Sequence, residues 1–156
     1  KMNVVQEKNM YSLIRNVEFK RLYEGFGFRT FLFNKSTTLI LINDMFMLQL
    51  YEHTWAGGER EFQIFNYLEN AEILFGIDNS IEGRDREYKS FEKFPDFSDD
   101  NFIQYFRWII ETFPGAFESN NFRKYKKYYY ETDNARDKCQ KYLALIQKKT
   151  WWRFWR

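Results

Sequence analysis

The stretch Ser36-Thr37-Thr38-Leu39-Ile40-Leu41-Ile42-Asn43-Asp44-Met45-Phe46-Met47-Leu48-Gln49-Leu50-Tyr51-Glu52-His53 decides the fold. It can be read as one helix capped by Ser36, or as two strands meeting at Asn43-Asp44. β-branched and aromatic residues dominate it, and its turn residues fall at hairpin spacing, so the strands are preferred. Residues 38–42 are apolar enough for a strand covered on both faces. Beyond the turn, Phe46, Leu48 and Leu50 alternate with Met47, Gln49 and Tyr51. Asn43-Asp44 suits a tight hairpin because both residues tolerate positive φ.

Working outward to the N-terminus, Asn34-Lys35-Ser36 reads as a turn and residues 28–33 as another strand. Glu24-Gly25-Phe26-Gly27 reads as a glycine-rich turn. Before it, Val17, Phe19, Arg21 and Tyr23 alternate with Glu18, Lys20 and Leu22, which predicts a first strand. The result is an antiparallel meander over residues 17–52. Residues 1–16 show no period and read as an arm, with Tyr11, Leu13 and Ile14 as candidate core residues.

Towards the C-terminus, Ala56-Gly57-Gly58 reads as a hinge. Residues 59–75 follow as a helix whose broad face holds Ile64, Phe65, Tyr67, Leu68, Ala71, Leu74 and Phe75. Gly76 can end it, and residues 77–97 are polar and aperiodic, the pattern of a long surface loop. Ser98 caps a helix over 98–113 with Asp99 and Asp100 in its first turn, and Pro114-Gly115 end it. Trp108 lies off the apolar face of that helix, placed either against the last helix or at an interface.

The last helix is predicted over 119–149, capped by Ser119 or Asn120. Tyr125, Tyr128, Thr132, Ala135, Cys139, Tyr142, Leu143 and Ile146 share one side, with Lys126, Asp133, Asp137, Lys141 and Lys148 opposite. Residues 150–156 form an aromatic-basic tail. Carried on at about 100° per residue, Trp151, Trp152 and Trp155 land opposite the apolar stripe. The predicted class is α+β: a single domain, 1–156, with an N-terminal antiparallel β-meander followed by three helices, the last one long.

Composition bounds the function. The 156 residues suffice for a hydrophobic core, and a net charge of +2 gives no global basic field of the kind a dedicated nucleic-acid binder carries. Cys139 is the one cysteine, so an internal disulfide is impossible, which fits a reducing, intracellular setting. Three valines stand beside 18 phenylalanines, a bias towards AT-rich codons that points to an organelle, a protist or a low-GC bacterium. Mitochondrial and bacterial cytoplasmic locations are not separated by it.

Candidate chemistry is sparse. Asp78-Asn79-Ser80-Ile81-Glu82-Gly83 resembles the opening of an EF-hand calcium loop, but the twelfth position, where a bidentate glutamate belongs, is Lys89. His53, the only histidine, has Glu52 beside it, yet neighbours along a strand point to opposite faces. No serine or cysteine sits in a nucleophile motif, and Cys139 falls on an apolar stripe. No catalytic residue, metal site, cofactor or small-molecule substrate is therefore expected.

What stands out is basic and aromatic residues interleaved. One cluster holds Arg123, Lys124, Lys126, Lys127 and Tyr130; the other holds Lys148, Lys149, Trp151, Trp152, Arg153, Phe154, Trp155 and Arg156. Such residues concentrate binding energy at protein interfaces, and they also neutralise phosphates and stack on unpaired bases. The expectation is a non-enzymatic structural or interaction subunit, docked through its C-terminal helix and Trp/Arg tail into a larger assembly. That assembly is either a multi-protein complex or an organelle ribonucleoprotein; a membrane interface ranks lower. The runner-up readings are a free-standing partner-binding domain of inhibitor or immunity type, and then an enzyme with an unrecognised carboxylate site.

Overall fold

The computed structural model describes residues 10–53, 59–74, 98–125 and 128–154, and gives the backbone alone for 59 and 149–154. Six strands, β1 (Arg29–Phe33), β2 (Thr38–Ile42), β3 (Phe46–His53), β4 (Glu59–Asn66), β5 (Ala71–Ile73) and β6 (Tyr129–Glu131), lie side by side in chain order. All neighbours are antiparallel. The helices are α1 (Tyr11–Arg15), α2 (Val17–Glu24), α3 (Asp99–Thr112), α4 (Ala116–Ser119) and α5 (Asn134–Phe154), with a short 3-10 turn at Asn121–Lys124. An antiparallel meander with a long final helix is the α+β architecture that the sequence indicates.

The stretch 36–53 is two strands, paired from Thr38↔Tyr51 to Ile42↔Met47. Every residue of β2 is buried, as its continuous apolar run requires. The hairpin tip is held differently from the expectation. Asn43 and Asp44 keep negative φ; instead, Asn43 Oδ1 accepts from the backbone N–H of Met45 (3.0 Å) and Phe46 (2.7 Å). The left-handed residues sit at the β1–β2 turn, where Asn34, Lys35 and Ser36 have φ of 54°, 55° and 67°.

Because side chains alternate along each strand, the sheet divides two cores. One face presents Leu39, Leu41, Leu48, Leu50, Ile64 and Ile73 to α1–α4, where Leu13, Phe19, Phe102, Phe106 and Phe117 meet them. The other presents Ile40, Ile42, Met47 and Phe65 to the stripe Ala135, Cys139, Tyr142 and Ile146 of α5. Helices thus cover both faces in three layers, each burying its apolar stripe on the sheet.

Several elements differ from their sequence reading. Residues 17–23 form the helix α2, because four-residue spacing buries Phe19 and Tyr23 together while Lys20 and Arg21 stay exposed. A strand would have put Arg21 on the same face as Phe19. The Asn16 side chain caps the helix, accepting from Phe19 N at 3.0 Å. Residues 10–15 are part of the fold rather than an arm, with Met10 and Leu13 fully buried.

Residues 59–74 do not form the helix read over 59–75. Residues 59–66 pair along all of β3, from His53↔Glu59 to Phe46↔Asn66, and 71–73 return as β5. Phe62 and Ile64 face the first core and Phe65 the second, an alternation that the apolar spacing 64, 65, 68, 71 disguised. Asn66 Oδ1 accepts from Glu69 N at 2.9 Å in the intervening turn, and Asn70 supplies its positive φ of 57°.

The helix over 98–113 holds: Ser98 caps α3, accepting from Asn101 N, with Asp99 and Asp100 in the first turn. The helix over 119–149 is shortened at its start. Asn120 is left-handed (φ 52°), the 3-10 turn and β6 follow, and α5 begins only at Asn134. The stripe that the sequence joined is therefore divided by the sheet. Tyr128 is buried in the first core, while Ala135 to Ile146 belong to the second. Trp108 packs against Tyr105 and Phe113 (centroids 5.8 and 6.0 Å) at the first core. The hinge 56–58 and the loop 77–97, with its EF-hand-like opening, lie outside the described residues.

Candidate docking surface at the end of the last helix

α5 crosses the strands of the second face. Its first turn is tied to the β4–β5 turn: Arg136 donates from Nη2 to Leu68 O (2.6 Å) and from Nε to Tyr67 O (3.1 Å). The backbone N–H of Arg136 reaches Asn70 Oδ1 at 2.9 Å. Midway, Lys138 O accepts from Gln49 of β3 (3.3 Å), and the Tyr142 ring lies 5.3 Å from that of Phe33 on β1. Further on, Leu143, Ile146 and Gln147 line a cleft of about 640 Å³ with Arg29, Ile42 and Asp44. The helix thus travels from β5 and β4 to β2 and β1.

It does not stop there. From Ala135 to Ile146 the packed stripe covers about 16 Å at ~1.5 Å per residue, roughly three strand spacings. The helical backbone then continues to Phe154, another ~12 Å at the same rise. By helical spacing the stripe would continue at Thr150 and Arg153, both polar, so the sequence offers the sheet no further apolar anchor there. Of the C-terminal candidates, Lys148 is exposed. Lys149, Trp151, Trp152, Arg153 and Phe154 lie on the helical extension, and Trp155 and Arg156 fall outside the described residues.

The other candidate cluster is not contiguous with this one. Arg123 on the 3-10 turn puts Nε 3.1 Å from Glu69 Oε2. The same carboxylate oxygen accepts from Asn120 Nδ2 (2.6 Å) and from the Tyr129 hydroxyl. Burial, and then that carboxylate, hold the Tyr129 hydroxyl above its ordinary pKa. Lys124 is exposed, and Tyr130 is half-buried in β6 opposite Glu72. Lys126 and Lys127 lie outside the described residues. Lys148 stands 14 residues into α5, about 21 Å from its start at 1.5 Å per residue, so the helix holds the two clusters apart.

Other polar groups tie neighbouring strands or lie in the cores. His53 Nε2 lies 3.1 Å from Glu61 across β3–β4, while Glu52 faces the other core and lies 3.7 Å from Arg60 Nε. Cys139 is fully buried, and burial, then Glu72, push its thiol up to about 12. Burial likewise raises the carboxyl of Glu72, with Lys138 opposing. Among the described residues no group of three or more His, Cys, Asp or Glu could hold a metal ion, and no helix is long and apolar enough to cross a membrane. Sequence reading missed the cleft and the Glu69 cluster, because each joins elements far apart in the chain.

The fold defines a three-layer α+β architecture built on a six-stranded antiparallel meander, with a final helix of 21 residues on its second face. No family model, curated protein or solved structure matches the chain.

Proposed function

We propose that this chain is a non-enzymatic interaction subunit that docks onto another protein surface through the C-terminal end of α5. One observation carries the reading: the stripe packed on the sheet reaches Ile146, while the helix runs on to Phe154 through Trp151-Trp152-Arg153. Two further helical turns, rich in the residue types that dominate interface hot spots, extend past Ile146, the last residue of the stripe among the described side chains.

Protein is favoured over RNA by the electrostatics. A groove that tracks a phosphate backbone needs cations in a continuous row. Here Arg123 is already paired with Glu69, and the second basic cluster begins at the other end of α5.

The test is gentle isolation of the native protein, with and without nuclease, beside a variant ending at Lys149. A protein partner should co-purify in fixed ratio, survive nuclease and moderate salt, and be lost with residues 150–156. Release by nuclease would replace protein with RNA as the partner. A partner retained by the truncated chain would refute the assignment of the surface.

A further inference from the structure

The described residues that line the cleft beside α5 reach no further along the helix than Gln147, short of the segment assigned above to docking. At about 640 Å³ the cleft lies within the range of roughly 300–1,000 Å³ that small-molecule sites occupy. The β1–β2 register sets Arg29 opposite Ile42, so both side chains stand on the second face of the sheet. There they share the cleft with Leu143 and Ile146 of α5. At the rim, Gly27 (φ 73°) has open space where a Cβ would stand.

The walls carry charge of both signs. Arg29 Cζ lies 5.6 Å from the Phe31 centroid, so the ring supports the guanidinium and leaves its N–H fork for an acceptor. Asp44 lines the same cleft from the β2–β3 tip and is exposed. Among the described residues neither side chain has an ion-pair partner, and the two do not pair with each other. Burial, then Asp44 and Cys139, hold the Tyr67 hydroxyl above its ordinary pKa while Arg29 opposes, so both charges act on that wall. The wall is also fixed in advance. Tyr67 donates from its hydroxyl to Asn43 O at 2.6 Å, and Asn43 Nδ2 donates to Phe26 O and Phe117 O, both at 3.1 Å.

We propose that this cleft binds a zwitterionic small molecule with a large apolar body, of the chemical class of the α-amino acids with bulky hydrocarbon side chains. Arg29 takes the carboxylate through its fork of donors, and Asp44 takes the ammonium. Leu143, Ile146 and Ile42 receive the apolar body. An anion alone would meet the repulsion of Asp44, and a cation alone that of Arg29. A ligand that carries both charges satisfies both walls, which is what selects it.

The test is titration of the isotopically labelled full chain with L-phenylalanine and with L-leucine to about 20 mM, followed by amide NMR. Saturable shifts should centre on Gly27, Asn43, Asp44 and Gln147. 3-Phenylpropionate, which lacks the ammonium, and phenethylamine, which lacks the carboxylate, should each bind about tenfold more weakly than L-phenylalanine, having lost one charge-assisted contact. Arg29→Gln and Asp44→Asn, both at exposed positions, should each weaken L-phenylalanine by about the same factor. The single-charge probes should cross over: Asp44→Asn should tighten 3-phenylpropionate, and Arg29→Gln should tighten phenethylamine. A merely structural role for either residue would not produce that crossing. Absence of saturable shifts at these amides with both amino acids overturns the proposal, and so does binding that neither substitution changes. It falls equally if 3-phenylpropionate matches L-phenylalanine on the unaltered chain and Asp44→Asn leaves both as they were.

Discussion

Replacing Arg60 with methionine should cost more stability than any surface change in this protein, and the structure says how much. The guanidinium lies between layers: Nη1 is 2.7 Å from Asp99 in the first turn of α3, and Nε is 3.7 Å from Glu52 on β3. Asp99 in turn accepts from Ser12 of α1. An exposed ion pair is worth about 0–1 kcal/mol, whereas removing one partner of a buried pair costs about 3–5 kcal/mol. Side-chain exposure selects the second figure, at 7% for Arg60 and 2% for Glu52. Methionine keeps most of the aliphatic stem, so the loss reports the charge rather than packing. At about 2–4 °C per kcal/mol for a chain of this size, the melting temperature should fall by roughly 6–20 °C. Adding Glu52→Gln to Arg60→Met should restore about 2 kcal/mol or more, because the stranded charge is gone. Urea unfolding of both variants with an unchanged m-value is the assay. A loss under about 1 kcal/mol, or a double variant no more stable than the single, would refute the reasoning.

Three other outcomes follow from named groups. Glu72 has its carboxyl raised by burial, so the folded state holds that proton more tightly than the unfolded chain. Its contribution is full below the ordinary carboxylate pKa and lost as pH rises through the raised value. Glu72→Gln should therefore stabilise near neutral pH, with the gain vanishing in acid, as read by melting curves from pH 3 to 8. Asn43 accepts twice at the hairpin tip and donates to Phe26 O and Phe117 O, both at 3.1 Å, tying the β2–β3 turn to two helix ends. Asn43→Ala should cost about 2–4 kcal/mol, and Asn43→Asp, which keeps the acceptors, about half of that, by urea unfolding. Cys139 should resist a thiol reagent at pH 8 in the native state and react only as fast as the chain unfolds. Because its thiol is raised, the stability linked to it should decline as pH climbs past the ordinary thiol range, visible in an alkaline unfolding series.

Where one local signal dominates, the sequence was legible. β2 and β3 were readable because β-branched residues and a turn at hairpin spacing agree. α3 was readable because a serine cap, two acids and a proline-glycine stop mark both ends. Illegible were the segments whose fate depends on distant partners. Residues 59–66 carry apolar spacing that satisfies a helix, and only the waiting edge of β3 makes them a strand. Residues 125–131 continue the wheel of α5 on paper, but Phe122 and Tyr128 are claimed by the first core before the helix starts. The Arg60 network joins residues 39 and 87 positions apart and the Glu69 cluster residues 51 and 60 apart, and no local pattern signals such meetings. The stripe from Ala135 to Ile146, by contrast, was readable because helical spacing alone decides it.

The aromatic content itself has two origins, and separating them bears on the tail. Phenylalanine and tyrosine have AT-rich codons, and in this chain the interior accommodates them: Phe19, Phe46, Phe65, Phe102, Phe106, Phe113 and Phe122 are buried, many in edge-to-face contact. Tryptophan is different, because in the standard code its single codon is UGG, against which an AT-rich bias works. Three of the five tryptophans nevertheless fall within residues 151–155. Those residues begin after Ile146, where the described stripe of α5 ends, and the positions that continue its helical spacing, Thr150 and Arg153, are polar. Compositional drift would scatter or remove such residues. On the proposed docking reading their concentration is that of a surface kept for contact, and replacing Trp151 and Trp152 together with alanine should abolish association while leaving the melting temperature of the isolated chain unchanged.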